Sequence, residues 1–273
     1  MFELRIATGI GLACLVLGIG SGCRSVTGPS NQRDWSPDQA ILPYAEFDQQ
    51  VVRIHNVRNC DYRTSDDYTV NYYDKTCDLN QVKSVDFIMV PFTDRPEGAH
   101  TFLSFGFEDG DYVAISIEVR REKGETFSVV QGLMNQYELM YVVGDERDLI
   151  QLRSNLRMDD VYLYRAKATP VQARALLVDM LERANKLADE PEYYHLVTNN
   201  CTTNIMRHIN RVAPGRVPYT YEVLLPGYSD RLAYRLGLIE QGESFERAKM
   251  DARINRLAYV HRDSPDFSQL IRR

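Results

Sequence analysis

HTFLSFGFEDGDYVAISIEVR, residues 100–120, decides the fold. Its centre, EDGD at 108–111, is a turn sequence with a glycine available for positive φ. The segments on either side alternate with a period of two. Thr101, Leu103, Phe105 and Phe107 share one face of the first, and Val113, Ile115, Ile117 and Val119 share one face of the second. Side chains alternate across a strand, so a register pairing those two apolar sets puts His100, Ser116 and Glu118 together on the other face. That second face also holds Phe102 and Ala114, which makes it mixed rather than wet.

Working outward, VVRIHNV (51–57) and VKSVDFIMV (82–90, stopped by Pro91) read as strands, with an irregular, tyrosine-rich loop between them. Further strands are expected over 138–143 and 161–164. Then the period changes. Thr169 is a good N-cap, Pro170 suits the first helical position, and Val171, Leu176, Leu177, Met180, Leu181, Ala184 and Leu187 make an apolar stripe. After a break at Glu190 and Pro191, TNNCTTNIM (198–206) opens a second helix that ends before Pro214 and Gly215. Strands followed by helices predict an α+β domain over 46–240, an antiparallel sheet packed against helices, with 241–273 as a charged C-terminal extension.

The N-terminus reads as an export signal. No charge falls between Arg5 and Arg24, and the apolar run ends in Ser21-Gly22-Cys23. A short positive region, an apolar region and small residues before a cysteine suggest a lipoprotein signal over 1–22, with the Cys23 thiol taking the lipid. Gly20 stands where a lipobox usually has leucine. The plainer readings are an ordinary cleaved signal or an uncleaved anchor, and the short, glycine-rich run weighs against the anchor. Arg24 after the cysteine favours outer-membrane sorting. Residues 23–45, rich in Ser, Pro, Asn and Asp, read as a tether.

Export into an oxidising space leaves Cys60, Cys77 and Cys201. Cys60 and Cys77 share one polar stretch and are expected to form a disulfide, which makes Cys201 the leftover thiol. Hydrophobic residues are 44% and charged residues 26%, enough for a packed core, and the net charge is −6. Basic residues form no stripe with interleaved aromatics, so nucleic acid is not an expected partner. No HExxH, paired CxxC or phosphate-binding glycine loop occurs, so neither a metal nor a cofactor is expected.

Chemistry then centres on Cys201. It lies at a helix start, with Thr198, Asn199 and Asn200 able to cap. Exposed N–H groups there favour a thiolate, and the Asn200–Thr202 turn offers donors to an oxyanion. The plainer reading is a buried cysteine packed as a small hydrophobe. Of five histidines, His55 lies on a strand, His261 lies in the charged tail, and His208 is two helical turns past Cys201. His195 precedes Cys201 by six residues. His100 alone shares a strand face with Ser116 and Glu118, which could orient its ring: the order nucleophile, base, orienting group of a thiol hydrolase.

GAHTFLSFGF (98–107) followed by NNCTTNI (199–205) resembles the Lnb N-terminal periplasmic domain family. The resemblance extends over most of 35–240 and includes SIEVRREKGE (116–125), GDERDLIQLRSNLR (144–157) and PEYYHLVTNNCTTN (191–204). The order of motifs is also similar to circularly permuted papain-like thiol enzymes of the NlpC and lecithin-retinol-acyltransferase kind. That similarity implies a permuted papain-like domain with Cys201 as nucleophile, His100 as base, and Glu118 or Ser116 as third member. It implies attack on an acyl, ester or amide carbonyl, and the family's name-giving members are associated with N-acylation of lipoproteins. Unlike the long members, this chain has no C-terminal apolar segment that reads as a membrane span. The expected protein is thus a periplasmic lipoprotein, held to the membrane through Cys23, with a cysteine-dependent acyl-enzyme activity on an acyl, lipid or peptidoglycan-type substrate. The alternatives are a peptidoglycan amide hydrolase and a non-catalytic envelope-binding lipoprotein. A working dyad requires Cys201 and His100 to meet across 101 residues of chain.

Overall fold

The computed structural model describes residues 28–273, so the signal segment and Cys23 lie outside the described residues. Apart from a small two-stranded ribbon, Asp61–Tyr62 with Tyr68–Thr69, its strands are β1 (Tyr44–Asp48), β2 (Val51–Arg58), β3 (Tyr72–Asp78), β4 (Val82–Phe92), β5 (Arg95–Phe107), β6 (Tyr112–Arg120), β7 (Tyr137–Gly144), β8 (Tyr162–Arg165) and β9 (Tyr193–Tyr194). These nine build one sheet in the order β1-β2-β7-β6-β5-β4-β8, with β3 on β2 and β9 on β7. Pairing is antiparallel except for a single parallel contact, Arg58 with Gly144. The helices are α1 (Val129–Leu133), α2 (Glu146–Gln151), α3 (Pro170–Asp189), α4 (Cys201–Val212), α5 (Tyr221–Leu224), α6 (Ser229–Arg235), α7 (Phe245–Ala252), α8 (Asn255–Val260) and α9 (Phe267–Leu270). A π-helical turn, Leu152–Leu156, continues α2. None of the described helices is long and apolar enough to cross a membrane.

The central hairpin takes the register its periodicity predicts. Phe102 faces Ser116, Leu103 faces Ile115 and Phe105 faces Val113, and Gly110 turns the chain at φ +85°. Past Phe102 and Ser116 the β5–β6 ladder stops. β5 continues on β4, with His100 opposite Val90, while β6 continues on β7 as far as Arg120. The two central strands therefore splay, and a cleft opens between residues 99–100 and 117–119.

Helices cover both faces. On one, Leu103, Phe105, Val113, Ile115 and Ile117 pack against Leu177, Met180 and Leu181 of α3 and Ile205 of α4. Thr169 closes a capping box on α3, and Pro170 occupies its first turn. Val171 is 76% exposed rather than part of the stripe, because five residues carry it about 140° round the helix from Leu176. On the opposite face Phe102, Ala114, Met140 and Val142 meet Leu149, Ile150, Ile254, Ala258, Phe267 and Ile271.

That second layer corrects the domain boundaries. Residues 241–273 are no extension: Ile254, Ala258, Phe267 and Ile271 recur four residues apart within each pair and fill the mixed face of the sheet. Residues 28–45 are no loose tether either. Asn31 donates to the carbonyls of Leu187 and Ala188 (3.0 and 2.8 Å), Arg33 pairs with Glu138 at 2.7 Å, and buried Trp35 lies under the Arg120 guanidinium. Polar composition there serves contacts between distant segments.

The expected Cys60–Cys77 disulfide is absent; both thiols are free and buried. Cys77 faces Val52 at one end of the β2–β3 ladder, whereas Cys60 follows Arg58, which faces Tyr72 at the other. Six residues of strand, roughly 20 Å, separate those ends. A disulfide tolerates Cα atoms about 7 Å apart at most. Burial pushes both thiols up to about 11.

Candidate active site

Asn200 has extended backbone, and its side chain accepts from the Thr203 N–H at 2.8 Å, while Thr203 Oγ1 accepts from the Asn200 N–H at 2.9 Å. This reciprocal cap makes Cys201 the first residue of α4, with Asn200 at its N-cap. It employs the Thr203 amide and leaves the Cys201 and Thr202 amides at the helix head, where no intrahelical carbonyl reaches them. Thr202 does not cap. Its hydroxyl shares a 3.1 Å hydrogen bond with Thr101 Oγ1, tying α4 to β5, so any part it plays toward an oxyanion falls to its N–H. The Cys201 sulfur is buried, 3.9 Å from the Ala99 carbonyl oxygen and 3.8 Å from Thr202 Oγ1.

His100 reaches the cleft from the splayed part of β5. Its ring stacks on Phe102, centroids 5.6 Å apart, and Nε2 lies 2.7 Å from Ser116 Oγ. Ser116 gives its own proton to Glu118 Oε1 at 2.7 Å, and Arg153 donates to the same oxygen at 2.9 Å. With the serine proton engaged, Ser116 can only accept from His100, so Nε2 carries the hydrogen and Nδ1 keeps a lone pair. The face predicted from strand alternation has become an ordered chain, His100–Ser116–Glu118–Arg153.

Burial, followed by the Arg153 cation, lowers the His100 pKa from 6.5 to about 3, with Arg157 adding to the effect and Glu118 opposing it. Burial acts to raise the Glu118 carboxyl, but Arg153, His100 and Arg58 outweigh it and hold the group below the ordinary carboxylate range. The resting pair is a neutral imidazole and an ionised carboxylate.

This charge state has a consequence for stability. Between pH 6.5 and about 3 the unfolded chain binds a proton at His100 that the folded chain does not. Stability contributed by the neutral ring is therefore lost as pH falls through that window, at up to about 1.4 kcal/mol per pH unit. Glu118, also depressed, acts in the same direction below the carboxylate range. His100→Gln should flatten the fall in urea midpoint between pH 6.5 and 5; an unchanged slope would mean that folded His100 is already protonated there.

Cys201 and His100 line the same cleft, which has a volume of about 200 Å³ and also includes Glu118, Arg153, Arg157 and Tyr194. No hydrogen bond joins the thiol to the ring among the described residues; the thiol faces Ala99 and the ring faces Ser116. The other histidines are elsewhere. His195 closes a turn by accepting from the Val197 and Thr198 amides, and His208 sits between Asp179 (2.5 Å) and Tyr141 (2.6 Å). His55 stacks on Tyr44 at the surface. Arg153, Arg157 and Tyr194 escaped the sequence reading. Their trace was present, since the arginines recur at a four-residue spacing in 144–157 and the tyrosine lies in 191–204, but neither signal says which cleft they reach.

The sequence profile of the Lnb N-terminal periplasmic domain family matches residues 68–227, a span that holds His100, Ser116, Glu118 and Cys201. Neither a curated protein nor a solved structure matches the chain.

Proposed function

Because the chain belongs to the Lnb N-terminal periplasmic domain family, we propose that it works in the periplasm as a cysteine-dependent acyl-enzyme catalyst, a hydrolase or acyltransferase of amide or ester carbonyls. The observation that carries this reading is the convergence on one cleft of a helix-heading thiol and a neutral histidine held by serine and glutamate. The arrangement fits a permuted papain-like thiol domain of the NlpC kind. Anchoring through a lipid on Cys23, sorting to the outer membrane, and an acyl, lipid or peptidoglycan-type substrate complete the proposal.

In the proposed reaction the Cys201 side chain turns from the Ala99 carbonyl toward His100 Nδ1 and gives up its proton there. The sulfur attacks the substrate carbonyl carbon, and the Cys201 and Thr202 amides receive the oxyanion. Collapse expels the amine or alcohol, which takes the proton back from Nδ1, and leaves a thioester on Cys201. Water or an acyl acceptor, deprotonated by Nδ1, then releases the acyl group and restores the thiol. Glu118, through Ser116, stabilises the imidazolium formed in each half-reaction.

One observation favours a non-catalytic reading: Cys201 is only 4% exposed. Acyl trapping separates the two. The full chain, incubated with a panel of activated esters and amides and quenched in acid, should carry a hydroxylamine-labile acyl group on the Cys201 peptide. That adduct should be missing from Cys201→Ala and scarce in His100→Gln. Acylation no greater at Cys201 than at Cys60 or Cys77 would refute the proposal.

A further inference from the structure

Four arginines, Arg58, Arg121, Arg153 and Arg157, line the Cys201 cleft beside three carboxylates, Asp38, Glu118 and Asp159. Two of the four are committed. Arg58 grips Asp148 with two hydrogen bonds (3.0 and 2.8 Å), and Arg153 holds Glu118 and the Leu149 carbonyl. Among the described residues, no hydrogen bond and no ion pair engages the guanidinium of Arg121 or of Arg157.

Their backbones are nonetheless fixed. The Arg121 amide donates to Gln39 Oε1 at 2.8 Å and its carbonyl accepts from Ser36 at 2.9 Å. The Arg157 amide closes the π-helical turn on Leu152 at 3.0 Å. Like charges are thus held at one polar cleft, with Glu118 and Asp159 near Arg157 but neither in close contact with its guanidinium. Arg157 is exposed at the rim of the cleft; partial desolvation and then the cations Arg153 and Arg121 push its guanidinium below its ordinary range, against the pull of Glu118 and Asp159. A bound oxyanion relieves the repulsion among these cations, and the planar fork of arginine suits phosphate and carboxylate groups.

We propose that Arg121 and Arg157 form an anion-holding subsite, so that the acyl compound handled at Cys201 bears a phosphate- or carboxylate-type group near its reacting carbonyl. The second half of this statement rests on the nucleophile reading of Cys201; the subsite itself does not. The placement also links binding to chemistry. Arg157 is one of the charges that make His100 a poor base. An anion seated on Arg157 offsets that charge and strengthens the base when substrate is present.

Two measurements on the full chain test the subsite. Inorganic phosphate and acetate are each titrated against thermal unfolding of wild type and of Arg121→Gln/Arg157→Gln. At saturation one of the anions should raise the wild-type midpoint by about 2–4 °C and leave the double variant unmoved, and the anion that does so assigns the group. Equal shifts in the two chains, or no shift in wild type with either anion, would overturn the subsite. Alkylation of the Cys201 peptide is then compared for iodoacetate and iodoacetamide. The rate ratio of the anionic to the neutral reagent should be about tenfold higher in wild type than in the double variant. Equal ratios would overturn its placement beside the thiol. If neither reagent modifies Cys201 while phosphate or acetate still stabilises only the wild type, the nucleophile reading fails and the anion subsite stands.

Discussion

Cys201→Ala is expected to bring carbonyl turnover to background, and His100→Gln to lower it about a thousandfold. The double variant should be no worse than Cys201→Ala alone, because base and nucleophile act as one unit. Glu118→Gln and Ser116→Ala should cost less, about ten- to a hundredfold, since each acts by orienting and stabilising a ring that still offers Nδ1. The measurement is kcat/KM on whichever ester or amide acylates Cys201 best, together with the urea midpoint of each variant. His100→Gln should keep most of its stability, whereas Glu118→Gln leaves the buried Arg153 guanidinium without its ion pair and should unfold earlier. Losses that multiply in the double variant, or a His100→Gln chain as active as wild type, would remove His100 from the mechanism.

Arg272→Met is expected to have the largest effect on stability, roughly 3–5 kcal/mol. Arg272 reaches Asp86 at 2.7 Å and both carboxylate oxygens of Glu146, and its guanidinium lies over the Tyr112 ring. Asp86 and Glu146 have no solvent exposure. Burial pushes the Asp86 carboxyl up, against the pull of Arg272 and Arg165, so removal of the cation should drive proton uptake as well as unfolding. The loss should appear as a lower urea midpoint at pH 7 and should shrink at lower pH, where protonation relieves the stranded carboxylates. A variant within 1 kcal/mol of wild type, by the usual spread of surface substitutions of about ±0.5 kcal/mol, would mean that the second layer is not pinned there.

The parts of this fold that could be read from sequence are those set by local chemistry. Strict alternation on both sides of 108–111 specified the hairpin register and hence the face shared by His100, Ser116 and Glu118. Thr169, Pro170 and Asn200 specified where α3 and α4 begin, because caps act over three residues. What could not be read depends on which segment covers which. The mixed face of 100–120 gave no sign of being sealed by residues 254–271, whose scattered charge hides apolar positions that matter only once the sheet exists. Cys60 and Cys77 are close in number but lie at opposite ends of a ladder, a separation that strand length creates and sequence spacing conceals. Arg121 and Arg157 reach the cleft from a strand end and a π-helical turn, so their convergence is purely tertiary.

The splay of β5 from β6 has a further meaning. Thiol and imidazole reach the opening from opposite sides of the sheet: Cys201 belongs to the core under α3 and α4, and His100 stacks on Phe102 in the core sealed by the C-terminal helices. On the proposed chemistry the reactive pair therefore behaves as a conjunction, true only when both halves of the molecule are assembled. A chain that has folded one layer would hold a nucleophile without a base or a base without a nucleophile. For a protein that must traverse a membrane before it folds, such a rule keeps the sulfur silent in transit and turns it on at the destination, with completion of the fold itself as the signal.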